Sequence, residues 1–556
     1  MNNMVKRFFN KTFSLFSKKQ GSILSAAGII MMAVFLSRTL GLLRDRMLTA
    51  RFSPQELGVY FAAFRLPNLI FELLVMGALS TAFIPVFSQY LSKNKKEEAF
   101  KMASSVINIG IVIFILLALP LLFFAPQISY LIAPGFSKEE ILLMASFTRI
   151  IILAQVFPLI IGNFLTGILQ SFNRFLIPAL APVTYNIGII LGIVFFSPLW
   201  GLYGPVWGVI LGALFFMVIQ IPFVVFLGYR HSLIFKHKQK EVREVGRLML
   251  PRTLGLTVSQ IGITIDLILA SILGARAVAV FNFAQHLQQI PIGLFGAPIA
   301  QAALPSLTRF WTKQDKEEFK KIFLASFHQI LFLVLPSSII LIVLRVPVVR
   351  LVFGAARFDW EATVMTGKTL AFFSLSLFAQ SLIHLLARSF YALHDSKTPV
   401  IIGTFSILVN IVLSFLFIKV FFLPIHTLAL STSIASFLDC FLLLFFLDKK
   451  IGGFKKTDLF LPALKIFIAS AITGVALYVP LKLLDQLVFD TTRTINLLAL
   501  TGTASLSGLF CYIFLAWFLK IKEVTSFFHV VKKFGKVKKV FFETSREVLN
   551  GVEKKV

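Results

Sequence analysis

The chain has 556 residues, of which 57% are hydrophobic and only 14% charged, and its formal net charge is +29. A soluble domain carries roughly a quarter charged residues, so a chain this apolar could not cover a water-facing surface. The positive charge sits in short loops and in the last stretch of chain, not in a folded basic domain, which argues against a nucleic-acid partner and for a membrane protein that holds its cytoplasmic side with Lys and Arg.

In chain order, residues 1–21 read as a cytoplasmic amphipathic segment, with Phe9, Phe13 and Phe16 at helical spacing among Lys6, Arg7, Lys11, Lys18 and Lys19. The first apolar run continues into Ser37-Arg38 without a small-residue cleavage pattern, so it is an uncleaved helix and not a signal peptide. Spans at about 22–50, 58–91, 103–126, 141–169, 176–197 and 203–228 make a first lobe, 22–228. Spans at about 246–274, 278–308, 322–345, 364–392, 398–419 and 424–447 make a second, 246–447. Two more, at about 458–484 and 495–519, fill 458–519. The expectation is an all-α polytopic membrane protein of about fourteen transmembrane helices, two parallel six-helix lobes plus two extra helices.

Orientation follows from alternate loops. Lys93, Lys95, Lys96 and Lys101, then Lys236, Lys238 and Lys240, then Lys313, Lys316, Lys320 and Lys321, then Lys449, Lys450, Lys455 and Lys456 fall on the side of the N-terminus. Both termini are therefore expected in the cytoplasm. The tail, 520–556, interleaves Lys532, Lys533, Lys536, Lys538 and Lys539 with Phe527, Phe528, Phe541 and Phe542, the pattern of an interfacial helix on anionic lipid. Cys440 and Cys511 lie in apolar runs and read as small packing residues.

The chain repeats itself. Ala82-Phe83-Ile84-Pro85, followed by Lys96-Glu97-Glu98, recurs as Ala302-Ala303-Leu304-Pro305, followed by Lys316-Glu317-Glu318, an offset of 305 − 85 = 220. Gly41 and Asp45 recur as Gly262 and Asp266, Arg65-Leu66 as His286-Leu287, and Pro178 as Pro399, each at an offset of 221 (266 − 45, 286 − 65, 399 − 178). An even number of crossings lies between the copies, so the halves are parallel repeats, and transporters built from repeats place the substrate between them.

Ionisable residues inside spans are costly and mark cavities or partners. Here they cluster: Arg38, Arg44, Asp45 and Arg46 at the end of the first span, Arg65, Asn68 and Glu72 in the second, Arg252 and Asp266 in the seventh, His286 in the eighth. Arg38 and Asp45 share a helical face. The plain reading is snorkelling to headgroups. The functional reading is a cationic cavity, because Arg forks bind diphosphate oxygens bidentately. His286 is either a packing residue or the counterpart of Arg65. Asp266, in an apolar setting, is protonated, paired or ion-coordinating. The chain carries no Walker A loop, HExxH, GxSxG or DDxxD pattern, so a catalytic or ATP-driven protein is not expected.

Several stretches carry a resemblance. Ser37-Arg38-Thr-Leu-Gly41-Leu-Leu-Arg44-Asp45, Arg65-Leu-Pro67-Asn68-Leu and Gly77-Ala78-Leu-Ser-Thr-Ala82-Phe83-Ile-Pro85 resemble the opening signature of the MurJ/MviN lipid II flippases. So do Ala133-Pro134-Gly135-Phe136, Asn173-Arg174-Phe175-Leu-Ile-Pro178-Ala-Leu-Ala-Pro182 and Phe390-Tyr391-Ala-Leu-His-Asp395-Ser-Lys-Thr398-Pro399-Val400. The likeness implies the fold of the multidrug/oligosaccharidyl-lipid/polysaccharide exporter superfamily in a bacterial inner membrane. It implies a substrate such as lipid II or another undecaprenyl-diphosphate-linked glycan, flipped to the outer leaflet by alternating access. The two extra helices would form a groove for the polyprenyl tail. Arg38, Arg44 and Arg65 match functional basic positions; Asp45, Asn68 and His286 are grouped with them as substrate contacts. No cofactor is implied beyond Na⁺ as a candidate coupling ion at Asp266 and Asn410. The chain departs from the pattern at Gly58-Val59, Phe71-Glu72, Met76 and Gln285-His286, which bears on the identity of the glycan. The rival readings are an exporter of drugs or of another lipid-linked glycan, a membrane-embedded transferase, and a scaffold. Scattered acids argue against the transferase, mid-span charges against the scaffold, and a basic cavity against cationic drugs.

Overall fold

The computed structural model describes residues 23–76, 82–235, 240–487 and 494–524. The proposed amphipathic ends, and residues 77–81 of the second-span motif, lie outside these. Every described element is a helix. In chain order we label α1 (Ile23–Arg51), α2 (Pro54–Val75), α3 (Lys96–Phe123), α4 (Lys138–Ser171), α5 (Leu176–Trp200), α6 (Tyr203–Phe226), α7 (Lys240–Ile272), α8 (Ala275–Thr312) and α9 (Lys316–Val343). There follow α10 (Trp360–Leu375 with Leu377–Ala392), α11 (Lys397–Val420), α12 (His426–Ile451), α13 (Lys456–Leu484) and α14 (Thr494–Phe518). Eleven helices are long and apolar enough to cross a membrane, or up to 12 with the bent α10 pair. The count of about fourteen read from the sequence includes α1 and α7, which are not among these; within α7 the apolar stretch is Thr257–Ile272.

Local chemistry sets the starts. Ser53 and Glu56 form a capping box at α2, and Ser137 and Glu140 form another at α4, each pair satisfying otherwise orphaned N–H groups. Asp315 accepts from the Glu318 N–H at the start of α9.

Prolines shape the middles. π-Helical turns occupy Ile152–Val156, Gly192–Phe196 and Ile292–Gly296. In each case a proline follows two residues on: Pro158, Pro198 and Pro298. A proline ring clashes with the carbonyl four residues back, and the wider turn moves that carbonyl aside.

The repeat is visible in the backbone. The π turn at Glu72–Met76 returns at Ile292–Gly296, an offset of 292 − 72 = 220. The turn at Ile152–Val156 answers to the 43° bend in α10. Left-handed backbone at Asn94 and Asn173 recurs at Gln314 and His394, offsets of 220 and 221 (314 − 94, 394 − 173). These are the turns that reverse the chain after Ile84–Ser92, α4, α8 and α10.

The chain divides into two compact units. The first holds residues 1–284, 352–369 and 407–431, and the second holds 285–351, 370–406 and 432–556. The core of the first unit gathers Phe83, Phe87, Met102 and Phe164; that of the second gathers Phe319, Phe323, Phe327 and Phe390. Within the first unit α5 and α6 touch through backbone. Gly188 and Gly192 face Gly208 and Gly212 so closely that no Cβ would fit, the small-residue packing typical of membrane helices.

Candidate functional site

The first unit collects the intramembrane charges into two networks. In one, α1 meets α5. The Arg44 guanidinium donates from Nε and Nη2 to Asp45 Oδ1 at 2.9 and 2.7 Å, and from Nη1 to Asn186 Oδ1 at 3.2 Å. Asn186 in turn donates to the Ser37 carbonyl and Oγ, both at 3.2 Å, and to the Pro182 carbonyl at 3.1 Å. Asp45 is 2% exposed. A buried carboxylate needs such a partner, and Arg44 supplies it. Arg44 is therefore committed to the protein, and the snorkelling reading does not describe it.

In the other network α2 meets α7. Arg65 donates from Nε to Thr264 Oγ1 at 2.9 Å, and from Nη2 to the Gln260 carbonyl and Oε1 at 2.6 and 2.8 Å. Gln260 and Thr264 are four apart on one helical face, so a single face of α7 grips the guanidinium. Seven residues along from Arg65, Glu72 is partly buried at the start of the π turn. Asn68 is exposed.

Arg38 differs from both. It is partly buried, and its Nε has no hydrogen-bond partner among the described residues. A guanidinium has five donors and keeps its charge, so a buried Nε without a partner leaves one of them unsatisfied.

Asp266 and Asn410, the pair named through the family resemblance, also come together. Asn410 Nδ2 donates to Asp266 Oδ1 at 3.4 Å, Ser414 Oγ donates to Asn410 Oδ1 at 3.5 Å, and Ser414 and Ser431 hydroxyls are 2.5 Å apart. All four side chains are buried. His286 lies in the second unit and is partly buried. The side chain of Arg252 lies outside the described residues.

Sequence reasoning passed over Asn186, Gln260, Thr264, Ser414 and Ser431. Their signal was present: single amide or hydroxyl residues set in apolar runs, which in a membrane must find a partner.

Membrane-length helices, kinked at prolines and joined internally by Arg, Asp and Asn, define a polytopic all-α membrane protein. A structure described as an inward-facing multidrug resistance MATE family transporter of the MOP superfamily shares the fold, at TM-score 0.62 and 15% identity over 76% of this chain and 98% of that one.

The particular family is shown by sequence. The profile of the lipid II flippase MurJ family matches residues 56–492, and the chain belongs to that family. A probable lipid II flippase MurJ of Buchnera aphidicola subsp. Baizongia pistaciae is 26% identical over 503 residues, 88% of this chain and 97% of the relative. A probable lipid II flippase MurJ of Rhizobium tropici is 30% identical over 427 residues, 72% of this chain and 76% of the relative. A solved lipid II flippase MurJ in an inward closed conformation superposes with TM-score 0.75 and 27% identity, covering 90% of this chain and 99% of that one.

Proposed function

We propose that this chain carries lipid II from the cytoplasmic to the outer leaflet of the bacterial inner membrane by alternating access, with both termini in the cytoplasm. The observation that carries the reading is the Arg38 Nε, without a hydrogen-bond partner among the described residues, on the same helix as the fixed Arg44–Asp45–Asn186 network. A lipid diphosphate is the anion a membrane cavity most readily meets, and Arg binds it as a fork. Arg44 and Asp45 hold α1 in place, Arg38 and the remaining Nη1 donors of Arg65 face the diphosphate, and Asn68 is the exposed amide nearby in sequence. His286, at the position answering to Arg65 in the repeat, is assigned to the same substrate.

Alternating access is supported by packing within the first unit. A Cβ on Gly58 would overlap the Ala275 carbonyl, and one on Gly135 would overlap the Ser271 carbonyl. The non-cytoplasmic ends of first-half helices thus press on α7 and α8 without room for a side chain, and an outward path must part them. Asp266, Asn410, Ser414 and Ser431 offer an all-oxygen set with one carboxylate, which suits a hard monovalent cation such as Na⁺. Among the described residues no group of three or more His, Cys, Asp or Glu could hold a metal.

The test is rescue of a bacterium depleted of its flippase, scored by lipid II on the outer leaflet. The wild-type chain should restore exposure, and Arg38→Ala and His286→Ala should reduce it at normal protein level. Failure of the wild-type chain would overturn the reading. A second glycan carried on polyprenyl diphosphate is favoured by one observation, the acid Glu72 sharing α2 with Arg65, since it changes the charge met by the sugar. Exposure of that glycan without lipid II would select it.

A further inference from the structure

In the first unit a cavity of about 660 Å³ opens between α3, α4 and α6. Its wall is apolar, including Ile107, Ile111, Phe157, Ile161 and Leu165. Its rim is the non-helical segment 229–235 that follows α6. A non-helical backbone in this setting needs partners for its polar groups. Buried side chains of α3 supply them. Asn108 Nδ2 donates to the Ser232 and Ile234 carbonyls at 2.9 and 3.1 Å. The Ser232 N–H donates to Ser104 Oγ at 3.3 Å, and the same hydroxyl is 3.1 Å from Tyr229 Oη. The segment is thereby strapped across the mouth, with Arg230 and His231 beside the opening and both exposed. Lys236, His237, Lys238 and Lys240 follow directly in sequence.

The second unit has the counterpart. A cavity of about 730 Å³ is lined by α9, α10, α12 and the start of α13. Four lining positions correspond. Phe327 and Leu331 answer to Ile107 and Ile111 at 220 (327 − 107, 331 − 111), and Phe378 and Leu382 answer to Phe157 and Ile161 at 221 (378 − 157, 382 − 161). A buried polar side chain recurs at the position of Asn108, here against the helical backbone of α13. His328 stands 328 − 108 = 220 from Asn108, and its Nε2 lies 3.1 Å from the Leu459 carbonyl. Lys456 lines this cavity. An apolar cavity thus stands at the same place in both copies of the repeat.

An apolar cavity in the hydrocarbon layer does not stay empty, because its wall would forgo dispersion contacts on one side. The surrounding medium offers acyl chains. In sequence, a Lys-rich stretch follows the first mouth and another, Lys449 to Lys456, borders the second, on the side the lysine asymmetry assigns to the cytoplasm, where anionic lipids concentrate. An exposed Arg at such a mouth matches a phosphate.

We propose that the cavity between α3, α4 and α6 binds an anionic glycerophospholipid of the cytoplasmic leaflet, one acyl chain within it and the phosphate on Arg230 and His231. The second cavity takes another, with Lys456 at its phosphate. These lipids are resident parts of the two halves, separate from the Arg38 network and independent of what the protein transports.

The test uses the purified full chain with phosphatidylglycerol or phosphatidylcholine carrying a photoreactive acyl chain, the adducts being mapped to peptides. Phosphatidylglycerol should label peptides containing residues 107–112 and 157–165 about tenfold more than phosphatidylcholine does. Arg230→Gln with His231→Gln should reduce the first to the level of the second. Val225→Trp, at a lining position more than half exposed and so tolerant of substitution, should abolish labelling by both. Equal labelling by the two lipids, or labelling that survives Val225→Trp, would overturn the assignment. So would displacement of phosphatidylglycerol by equimolar undecaprenyl phosphate, which would make the cavity a polyprenyl-tail site.

Discussion

Arg38 and Arg44 stand six residues apart on one helix, yet replacing them should have opposite consequences. Arg44→Ala removes three hydrogen bonds of 2.7 to 3.2 Å and leaves Asp45, 2% exposed, without its guanidinium. Breaking a buried pair in this way costs about 3–5 kcal/mol. The variant should melt well below the wild type and accumulate to a lower level. Arg44→Ala with Asp45→Ala should recover much of the loss, because the buried carboxylate is removed together with its guanidinium. Arg38→Ala removes a group whose Nε has no partner among the described residues, so the melting temperature should hold. Affinity for a polyprenyl diphosphate should fall, by about 1.5–3 kcal/mol for a charged hydrogen bond, or roughly ten- to a hundredfold. The assay is paired: thermal melting in detergent, and titration with undecaprenyl diphosphate. Unchanged melting of Arg44→Ala would refute the structural role of its network, and unchanged affinity of Arg38→Ala would refute the anion site.

Gly58→Val should force apart the contact with Ala275, an overpacking of about 1–3 kcal/mol that shifts populations roughly 5- to 150-fold; a cysteine placed at Phe61 should then react faster with an impermeant maleimide, and an unchanged rate would count against the closed outer contact. Asp266→Asn should weaken stabilisation by Na⁺, measured as the melting shift between Na⁺ and a large organic cation, and an equal shift in the variant would remove the ion site. Burial alone would raise the Asp395 pKa, but hydrogen bonds from Lys450 and Thr398 outweigh it and hold the carboxyl below the usual carboxylate range. Its contribution to stability is therefore complete above about pH 4 and fades as pH falls through the lowered folded value, so melting of Asp395→Asn should differ from wild type at neutral pH and converge with it in strong acid; a difference that persisted there would contradict the assignment.

The helical architecture was legible because a membrane forces each crossing to declare itself as a long apolar run. Boundaries were less so: α2 begins at Pro54, ahead of the expected 58, because the Ser53–Glu56 cap and not hydropathy sets its start. The pairing of Asp266 with Asn410 came through the family resemblance, since their positions, 144 apart, carry no local signal. The state of each arginine was hidden. Charge within a span says that a partner exists, but only the fold shows that Arg44 faces Asn186 and Arg65 faces Gln260 while the Arg38 Nε has no partner. The pockets were hidden for the same reason, because an apolar lining residue and an apolar core residue read alike.

The paired π turns have a further consequence. A duplicated chain duplicates its compliant points, so each half inherits the same places at which a helix can flex. Two copies that flexed identically would have no built-in direction. The turns that correspond at Glu72–Met76 and Ile292–Gly296 open with different residues, a carboxylate in one and an isoleucine in the other. The matched turns thus differ in chemistry and not in geometry: the first carries an ionisable side chain, and the second holds only apolar residues and glycine.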